Sequence, residues 1–471
     1  MTRKGLLIAS LVLFTSLPVF ARRFILGASP TDAPSVAEQY GLTIVAAIPD
    51  TGLFLVTAPD EVDVDQLLSS VNADPNVADF EVDDLATTPE ATSSTSSSVL
   101  MPSPTIGLLF NAPGSVDGFS SGLNLDQSTA GILDSVSQAS VLTYYDAQVP
   151  SYYVNQTATD LIKLGLAQSE YGAVGAGVVA IIDTGVDPNH AALQGALLSG
   201  FDFTRRQPGA NEFLDLDQST AGILDQSTAG ILDMNTVVPL NQSTAGILDQ
   251  STAGILDTAT LPSHFGHGTM VAGIVHLVAP QAKILPLKAF DANGTGYIYN
   301  VVAAIIYAVN AGGANVINMS FDYGQSQSPL LKVAIWYANS KGVICVASAG
   351  NRDSSTAVYP AGYNLALGVA STTTDPVPDL QSAFTNYGDW VSMAAPGEAI
   401  RTTYPGNHYA AASGTSFSAP FVSGTVALLY QYYGPLTKDA VSTALQNAAW
   451  INPNLGWGRL DAYQAVGTYA H

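Results

Sequence analysis

Apolar runs and mixed segments alternate along the chain from residue 177 onward. The run over residues 177–182, GVVAII, carries no polar side chain, which is typical of a strand buried on both faces of a parallel sheet. The same pattern predicts further strands over 282–290, 315–321 and 343–348, and helices over 270–279, 300–312, 330–340 and 422–433. Because strands and helices alternate, we expect an α/β fold: a doubly wound parallel sheet with right-handed crossovers and helices on both faces.

A second pattern, closer to the N-terminus, predicts a small separate domain. Residues 22–86 contain six short segments in the order strand, helix, strand, strand, helix, strand, with a Pro-Asp-Thr-Gly turn at 49–52 between the second and third strands. This βαββαβ order is that of the ferredoxin-like module. We therefore expect a compact α+β unit ahead of the α/β fold.

The first 21 residues have the pattern of a secretory signal. Arg3 and Lys4 precede an apolar run over 5–21 that ends in Val-Phe-Ala, a suitable signal-peptidase site after Ala21. The alternative is an uncleaved membrane anchor, but the run is shorter than the ~20 residues that a spanning helix needs. We therefore expect a signal peptide over 1–21 and a secreted, extracellular protein with no stable membrane anchor.

Residues 87–150 are expected to form a linker. The first part is rich in Ser, Thr and Pro and too poor in apolar residues to pack a core. The linker also contains one copy, at 126–133, of the octapeptide DQSTAGIL, which recurs in a tandem array over 217–256. Short repeats can stack as a solenoid, but long surface insertions also cost little entropy. We expect the array to be a tolerated surface loop, with a packed coil as the alternative.

Four short motifs carry residues with catalytic chemistry. In chain order these are Asp183 in IIDTGVD, His267 in FGHGTMVAG, Asn351 in ASAGN and Ser416 in GTSFSAP. A serine hydroxyl needs a base to take its proton, the base needs a carboxylate to orient it, and the resulting oxyanion needs preorganised donors. Each residue alone has an ordinary explanation as a turn or helix-cap residue, but the ordered set favours a serine nucleophile. Pro420 is expected in the first turn of the helix that begins at Ser416.

These motifs resemble those of the subtilase family of subtilisin-like serine proteases, and the resemblance covers residues 151–466. It implies that Asp183 orients the base, that His267 is the general base and acid, and that Ser416 is the nucleophile. It further implies that Asn351 supplies the side-chain donor of the oxyanion hole, beside the backbone N–H of Ser416.

The resemblance also implies a domain organisation and partners. It implies that residues 151–471 are the catalytic domain of a serine endopeptidase. It also implies that residues 22–86 are the propeptide, which folds the protease and covers its cleft. An unrelated small domain is the alternative for residues 22–86. The expected partners are protein or peptide substrates and the propeptide itself, and we expect a monomer.

The walls of the substrate cleft are implied by the same resemblance. The expected substrate-binding residues are Gly294, Thr295 and Gly296 on one wall, Ser320 and Phe321 on the other, and Ser348, Ala349 and Gly350 beside the primary pocket. Asp322 stands where the family commonly has a glycine, so a charged side chain lies beside the path of the substrate backbone. We expect a broad preference with an apolar primary residue, and a basic one is the alternative that Asp322 would favour.

Composition limits the partners and cofactors. The chain of 471 residues has a net charge of −23, which argues against nucleic acid as a partner. The single cysteine, Cys345, leaves no disulfide framework. The chemistry requires no cofactor, and no His/Cys cluster has the spacing of zinc ligands. Structural calcium is an expectation without a complete ligand pattern, and the candidate ligands are Asp202, Glu212, Asp215 and Asp217.

The alternative to an enzyme is a protein with a non-catalytic function. An exported protein could use a protease-like scaffold for binding or for display of the octapeptide array. A scaffold that had lost catalysis would ordinarily lack at least one of the four motif residues, and this chain keeps all of them.

Overall fold

The computed structural model describes residues 22–88, 131–134, 140–216, 236–239, 262–374 and 377–470. It divides into two compact units, one ending at Asp84 and the other beginning at Leu85. The strands are β1 (Arg22–Ala28), β2 (Thr43–Ile48), β3 (Leu53–Ala58), β4 (Val77–Val82), β5 (Leu85–Thr87), β6 (Gly131–Asp134), β7 (Val141–Tyr144), β8 (Ala147–Pro150), β9 (Val178–Asp183), β10 (Phe201–Asp202), β11 (Gln207–Pro208), β12 (Thr236–Pro239), β13 (Lys283–Lys288), β14 (Thr295–Tyr297), β15 (Val316–Met319), β16 (Ile344–Ser348), β17 (Leu367–Thr372), β18 (Met393–Pro396), β19 (Ile400–Tyr404) and β20 (His408–Ala412). The helices are α1 (Ala33–Gln39), α2 (Val64–Asn72), α3 (Ser151–Val154), α4 (Thr157–Leu161), α5 (Leu164–Tyr171), α6 (His267–Val278), α7 (Ile298–Asn310), α8 (Pro329–Ser340), α9 (Thr415–Tyr432), α10 (Lys438–Leu445) and α11 (Ala462–Gly467).

The first unit is a four-stranded antiparallel sheet covered by two helices. Its strand order is β2-β3-β1-β4, so the first strand lies in the interior and pairs with β3 and β4. Val36 of α1 and Val71 of α2 are buried against the sheet, where the rings of Phe24 and Phe80 stack with centroids 5.0 Å apart. This order of elements and strands confirms the predicted ferredoxin-like module.

The second unit is built on an eight-stranded sheet in the order β11-β10-β13-β9-β15-β16-β17-β18. Its strands run parallel from β10 to β18, and only the edge strand β11 is antiparallel to its neighbour. Strand β9 is buried on both faces, as its apolar sequence predicts. Val179 and Ile181 pack in the core with α6 and α9, while Ala180 and Ile182 are equally buried on the opposite face. Helices α7 and α8 pack together and contact this sheet, which confirms the doubly wound architecture.

The order of the strands reverses at β9. The chain continues from β9 to β13 on one side of it and then to β15 on the other. Such a switch point leaves a crevice beyond the carboxyl end of the strand, which is where α/β proteins place their sites. Asp183 is the last residue of β9 and therefore lies at this crevice.

The octapeptide copies contribute strands to a second sheet, of order β12-β6-β20-β19. Strand β6 covers the end of the separate copy and the next residue, β12 lies in the tandem array, and their backbones pair with each other. The rest of the array, 217–235 and 240–256, lies outside the described residues. The loop and coil alternatives therefore both stay predictions.

The last part of the expected linker is structured. Strands β7 and β8 form a hairpin that packs on α6. Tyr144 and, just after the hairpin, Tyr153 donate hydrogen bonds of 2.7 Å to the backbone carbonyls of Leu277 and Gly273. No described helix is long and apolar enough to cross a membrane.

Candidate active site

Asp183 and His267 meet at the carboxyl end of β9. The Nδ1–H of His267 donates to Oδ1 of Asp183 at 2.7 Å, and the same oxygen accepts the N–H of Thr184 at 2.7 Å. The two side chains are only 3% and 1% exposed. In a neutral imidazole that donates from Nδ1, the accepting lone pair lies on Nε2. The arrangement thus orients a base toward the cleft.

A glycine allows this close approach of α6 to β9. A Cβ on Gly268 would lie 1.9 Å from the carbonyl oxygen of Gly185 and 3.2 Å from the Cβ of Asp183. Any other residue would push the start of α6 away from the aspartate. The glycine after the histidine in the motif is therefore a steric requirement.

Ser416 is the second residue of α9, and its helix begins beside the start of α6. The ring of His267 and the ring of Phe417 have centroids 5.5 Å apart. The Oγ of Ser416 lies 3.4 Å from the carbonyl oxygen of Ser320. The N–H groups in the first turn of a helix have no intrahelical acceptor, so they can stabilise an anion at this point.

Pro420 lies inside α9, and the prediction that it occupies the first turn is wrong. A proline at this position cannot donate to the carbonyl of Ser416, four residues earlier. The hydroxyl of Ser320 donates to that carbonyl at 2.9 Å instead. Ser320, predicted as a wall residue, thus also supports the backbone of the nucleophile candidate.

Asn351 is held by the residue that precedes Ser416. Its Oδ1 accepts hydrogen bonds from the N–H and the Oγ1–H of Thr415, at 2.9 and 2.8 Å. Thr415 Oγ1 also accepts the N–H of Gly350 at 3.0 Å. Because its oxygen faces Thr415, the amide of Asn351 has a fixed orientation with Nδ2 as its donor end. Sequence reasoning missed Thr415, although it lies within the serine motif.

The two predicted walls hold an extended segment of the same unit. Strand β5 pairs antiparallel with Thr295–Tyr297, and the N–H of Thr88 donates to the carbonyl of Gly294 at 2.9 Å. On the other side, Thr87 exchanges two backbone hydrogen bonds with Asp322, of 2.9 and 2.8 Å. The sequence had assigned these residues to the end of the module and the start of the linker.

The remaining wall residues are buried, and Ser348, Ala349 and Gly350 lead from the end of β16 into the turn before Asn351. Phe321, Ser348, Ala349 and Gly350 are all buried. Asn386, which the sequence analysis did not single out, donates from Nδ2 to the carbonyl of Ala349 at 2.8 Å and from its N–H to that of Gly350 at 2.9 Å. Its only signal in the sequence is its position in a polar loop, so the turn depends on a residue that no motif identified.

Two of the candidate calcium ligands are paired with basic side chains. Arg205 contacts Asp202 at 3.3 Å and Asp215 at 2.6 Å. Buried Lys288 contacts Asp215 at 2.6 Å and donates to the carbonyl of Thr184 at 2.7 Å. These four side chains form a balanced charge network behind Asp183.

Glu212, another candidate calcium ligand, is hydrogen-bonded within the protein. It accepts the N–H of Gly266 at 2.9 Å and a hydrogen bond from Thr269, and burial raises its pKa to about 8. Asp217 lies outside the described residues. Within the described part of the chain, no group of three or more His, Cys, Asp or Glu side chains is arranged to hold a metal ion. Calcium binding stays a prediction.

Known proteins are similar to this chain in sequence. A thermophilic serine proteinase from Bacillus sp. (strain AK1) is 32% identical over 290 residues, which span 61% of this chain and 61% of that protein. Thermitase from Thermoactinomyces vulgaris is 34% identical over 302 residues, 61% of this chain and 88% of that protein. The chain therefore spans about three fifths of the length of the first of these relatives.

A solved structure shows a similar fold. Fervidolysin from Fervidobacterium pennivorans, described as a keratinolytic enzyme related to subtilisin, aligns with a TM-score of 0.63 at 21% identity, covering 95% of this chain and 61% of that one. Residues 21–89 match the open reading frame 2 N-terminal domain. Residues 175–467, more than half of the chain and all four motif residues, match the subtilase family. The chain belongs to the subtilase family of subtilisin-like serine proteases.

Proposed function

We propose that this chain is a secreted serine endopeptidase, made as a precursor and processed by its own active site. One observation carries the proposal: the buried Asp183–His267 hydrogen bond lies at a cleft whose walls already hold an extended peptide backbone, and the ring of Phe417, next to Ser416 in the chain, lies against the ring of His267. Backbone pairing on both sides recognises peptides with little regard to sequence, as in other strand-addition sites. This favours protein or peptide substrates.

The chemistry follows from the positions of the four side chains. Nε2 of His267 takes the proton of Ser416 Oγ as that oxygen attacks the carbonyl carbon of the substrate, and Asp183 stabilises the imidazolium. The carbonyl oxygen becomes an oxyanion that accepts hydrogen bonds from Nδ2 of Asn351 and the N–H of Ser416. His267 then protonates the leaving amine. Water, activated by the same base, hydrolyses the acyl-enzyme and restores Ser416.

The register of β5 supports processing of the precursor. Thr87 lies opposite Asp322, so a substrate residue two positions further along would lie opposite Ser320. The carbonyl oxygen of Ser320 is 3.4 Å from Ser416 Oγ, which puts that substrate residue next to the nucleophile. We therefore expect the precursor to be cut in the segment that begins at Pro89, outside the described residues. The propeptide then extends to Pro89, as residues 22–89, close to the predicted 22–86.

The test compares the wild-type precursor with Ser416→Ala in a preparation free of other proteases. Wild type should release a fragment with a new N-terminus beyond Thr88 and hydrolyse peptides, while Ser416→Ala should keep its full length and lack activity. Asn351→Ala should keep the triad but lower kcat by about 10²–10³, the cost of losing one oxyanion donor. Normal processing of Ser416→Ala would show that another enzyme makes the cut.

A further inference from the structure

We propose that Asp322 and Arg352 form an ion pair that makes the substrate cleft select uncharged side chains at two positions. P1 denotes the substrate residue whose carbonyl is attacked, and P3 the residue two positions before it. The inference rests on the proposed protease function and concerns which peptides the same site accepts.

The pair joins the cleft wall to the segment that carries the oxyanion donor. Nη2 of Arg352 lies 3.0 Å from Oδ1 of Asp322, and that oxygen also accepts the N–H of Gly324 at 2.9 Å. The carboxylate side chain is 1% exposed and the guanidinium side chain 32%. Arg352 directly follows Asn351, and its own N–H is fixed by Oδ1 of Asn386 at 3.0 Å. The carboxylate of Asp322 and the guanidinium of Arg352 are therefore both held in fixed positions.

The register of β5 identifies the substrate positions that face the pair. Thr87 occupies the position of P3, because it exchanges backbone hydrogen bonds with Asp322 and lies two residues before the position opposite Ser320. Side chains of directly opposed residues in an antiparallel pair lie on the same face, about 4.5–5.5 Å apart at Cβ. Residues two apart in an extended strand also share a face. P3 is thus directly beside Asp322, and P1 is on the same face.

The charges of this face cancel. A lysine at P3 or P1 is attracted by Asp322 but repelled by Arg352, and a glutamate meets the reverse combination. Either charged side chain also loses hydration on binding, and only part of that cost is repaid. An uncharged side chain avoids both effects. On this proposal, Arg352 offsets the preference for a basic residue that Asp322 alone would favour.

Replacing either residue of the ion pair should shift the substrate preference toward side chains with the charge that the replaced residue carried. Arg352→Gln leaves the buried carboxylate of Asp322 without its cation, so a lysine on the substrate can take that place. Asp322→Asn keeps an oxygen for the N–H of Gly324 and leaves the guanidinium of Arg352 free to attract a glutamate on the substrate. The double variant Asp322→Asn/Arg352→Gln restores a neutral face.

The experiment measures kcat/KM on matched quenched peptides that differ only at P1 or only at P3, with Lys against Met and Glu against Gln. Ratios within one variant cancel any general loss of activity. Arg352→Gln should raise the Lys/Met ratio at P3 at least tenfold, which is about 1.4 kcal/mol, with a smaller rise at P1. Asp322→Asn should raise the Glu/Gln ratio, and the double variant should return both ratios close to those of wild type. Lys341→Gln, which removes an exposed cation after α8, is the matched control and should change neither ratio.

Two results overturn the inference in different ways. Ratios within about twofold of wild type in both single variants, the usual scatter for independent sites, show that the pair does not set preference. If one single variant fails to fold, the other still tests the inference, through the Lys/Met ratio for Arg352→Gln or the Glu/Gln ratio for Asp322→Asn. If wild type cleaves no peptide and a fluorophosphonate does not label Ser416, the proposed function itself fails and this inference falls with it. Labelling of Ser416 with unchanged ratios refutes the pair alone.

Discussion

Two buried histidines, His190 beside α6 and His276 within it, should make the folded protease sensitive to acid. His190 donates from Nε2 to the carbonyl of His408 at 2.9 Å, and its Nδ1 accepts the N–H of Ala192 at 3.3 Å. A proton on Nδ1 would replace that accepted hydrogen bond with two N–H groups facing each other. Burial lowers the pKa of His190 to about 4. Burial, followed by the nearby His190, lowers the pKa of His276 to about 4.

The effect on stability follows from the difference between the folded and unfolded states. An unfolded histidine has a pKa near 6.5, so the unfolded chain binds more protons between about pH 6.5 and pH 4. The stabilisation is complete above pH 6.5 and is lost as the pH falls toward 4. At 1.36 kcal/mol per pKa unit, each histidine costs about 3 kcal/mol below pH 4 and about 2 kcal/mol at pH 5.

The assay is urea unfolding of the Ser416→Ala chain, which cannot digest itself, at pH 7 and pH 5. His276→Gln removes one titrating group, so the fall in the free energy of unfolding between the two pH values should be about 2 kcal/mol smaller than in the parent. Any change in packing affects both pH values alike and cancels in the difference. An equal fall in variant and parent would refute the reasoning.

Three further changes test other parts of the molecule. Glu212 has its pKa raised from 4.5 to about 8 mainly by burial, so its contribution to stability is complete below about pH 4.5 and is lost as the pH rises from there to about 8. Glu212→Gln, which keeps an oxygen for the N–H of Gly266 and does not titrate, should therefore gain stability relative to the parent from pH 5 to pH 9 in urea titrations, and an unchanged difference would contradict the assignment. Gly268→Ala should lower kcat/KM by about 10²-fold through misplacement of His267, and activity near wild type would exclude the steric argument. Replacement of 217–256 by a short Gly/Ser linker should leave small-peptide hydrolysis within a few-fold, since among the described strands β12 pairs only with β6, at the edge of its sheet, whereas loss of folding would favour the packed coil.

Local signals explain what could be predicted from the sequence. Strand β9 is apolar at every position except Asp183 because both faces are covered, so the run identifies the strand and its end identifies the aspartate. The motifs around His267 and Ser416 mark helix starts, and the structure has helices beginning at or just before each residue.

Contacts between distant segments explain what could not be predicted from the sequence. Lys288 ends a strand that looks like an ordinary apolar run, and its partner Asp215 lies in a different part of the chain. The pair of Asp322 and Arg352 likewise joins two separate loops, so the sequence shows the charge at position 322 but not the cation that it pairs with. Strand β5 depends on its pairing with β14, and no local pattern distinguishes it from the linker.

Covalent labelling with a fluorophosphonate tests the central claim most directly, because it requires a serine activated by its neighbours. Peptide mapping by mass spectrometry should find one adduct, on Ser416 in the segment GTSFSAP, in the mature wild-type protein. His267→Ala should slow the labelling by orders of magnitude, and Ser416→Ala should abolish it. A folded wild-type protein without an adduct, or one labelled as fast in His267→Ala, would contradict the account and favour the non-catalytic binding or display protein.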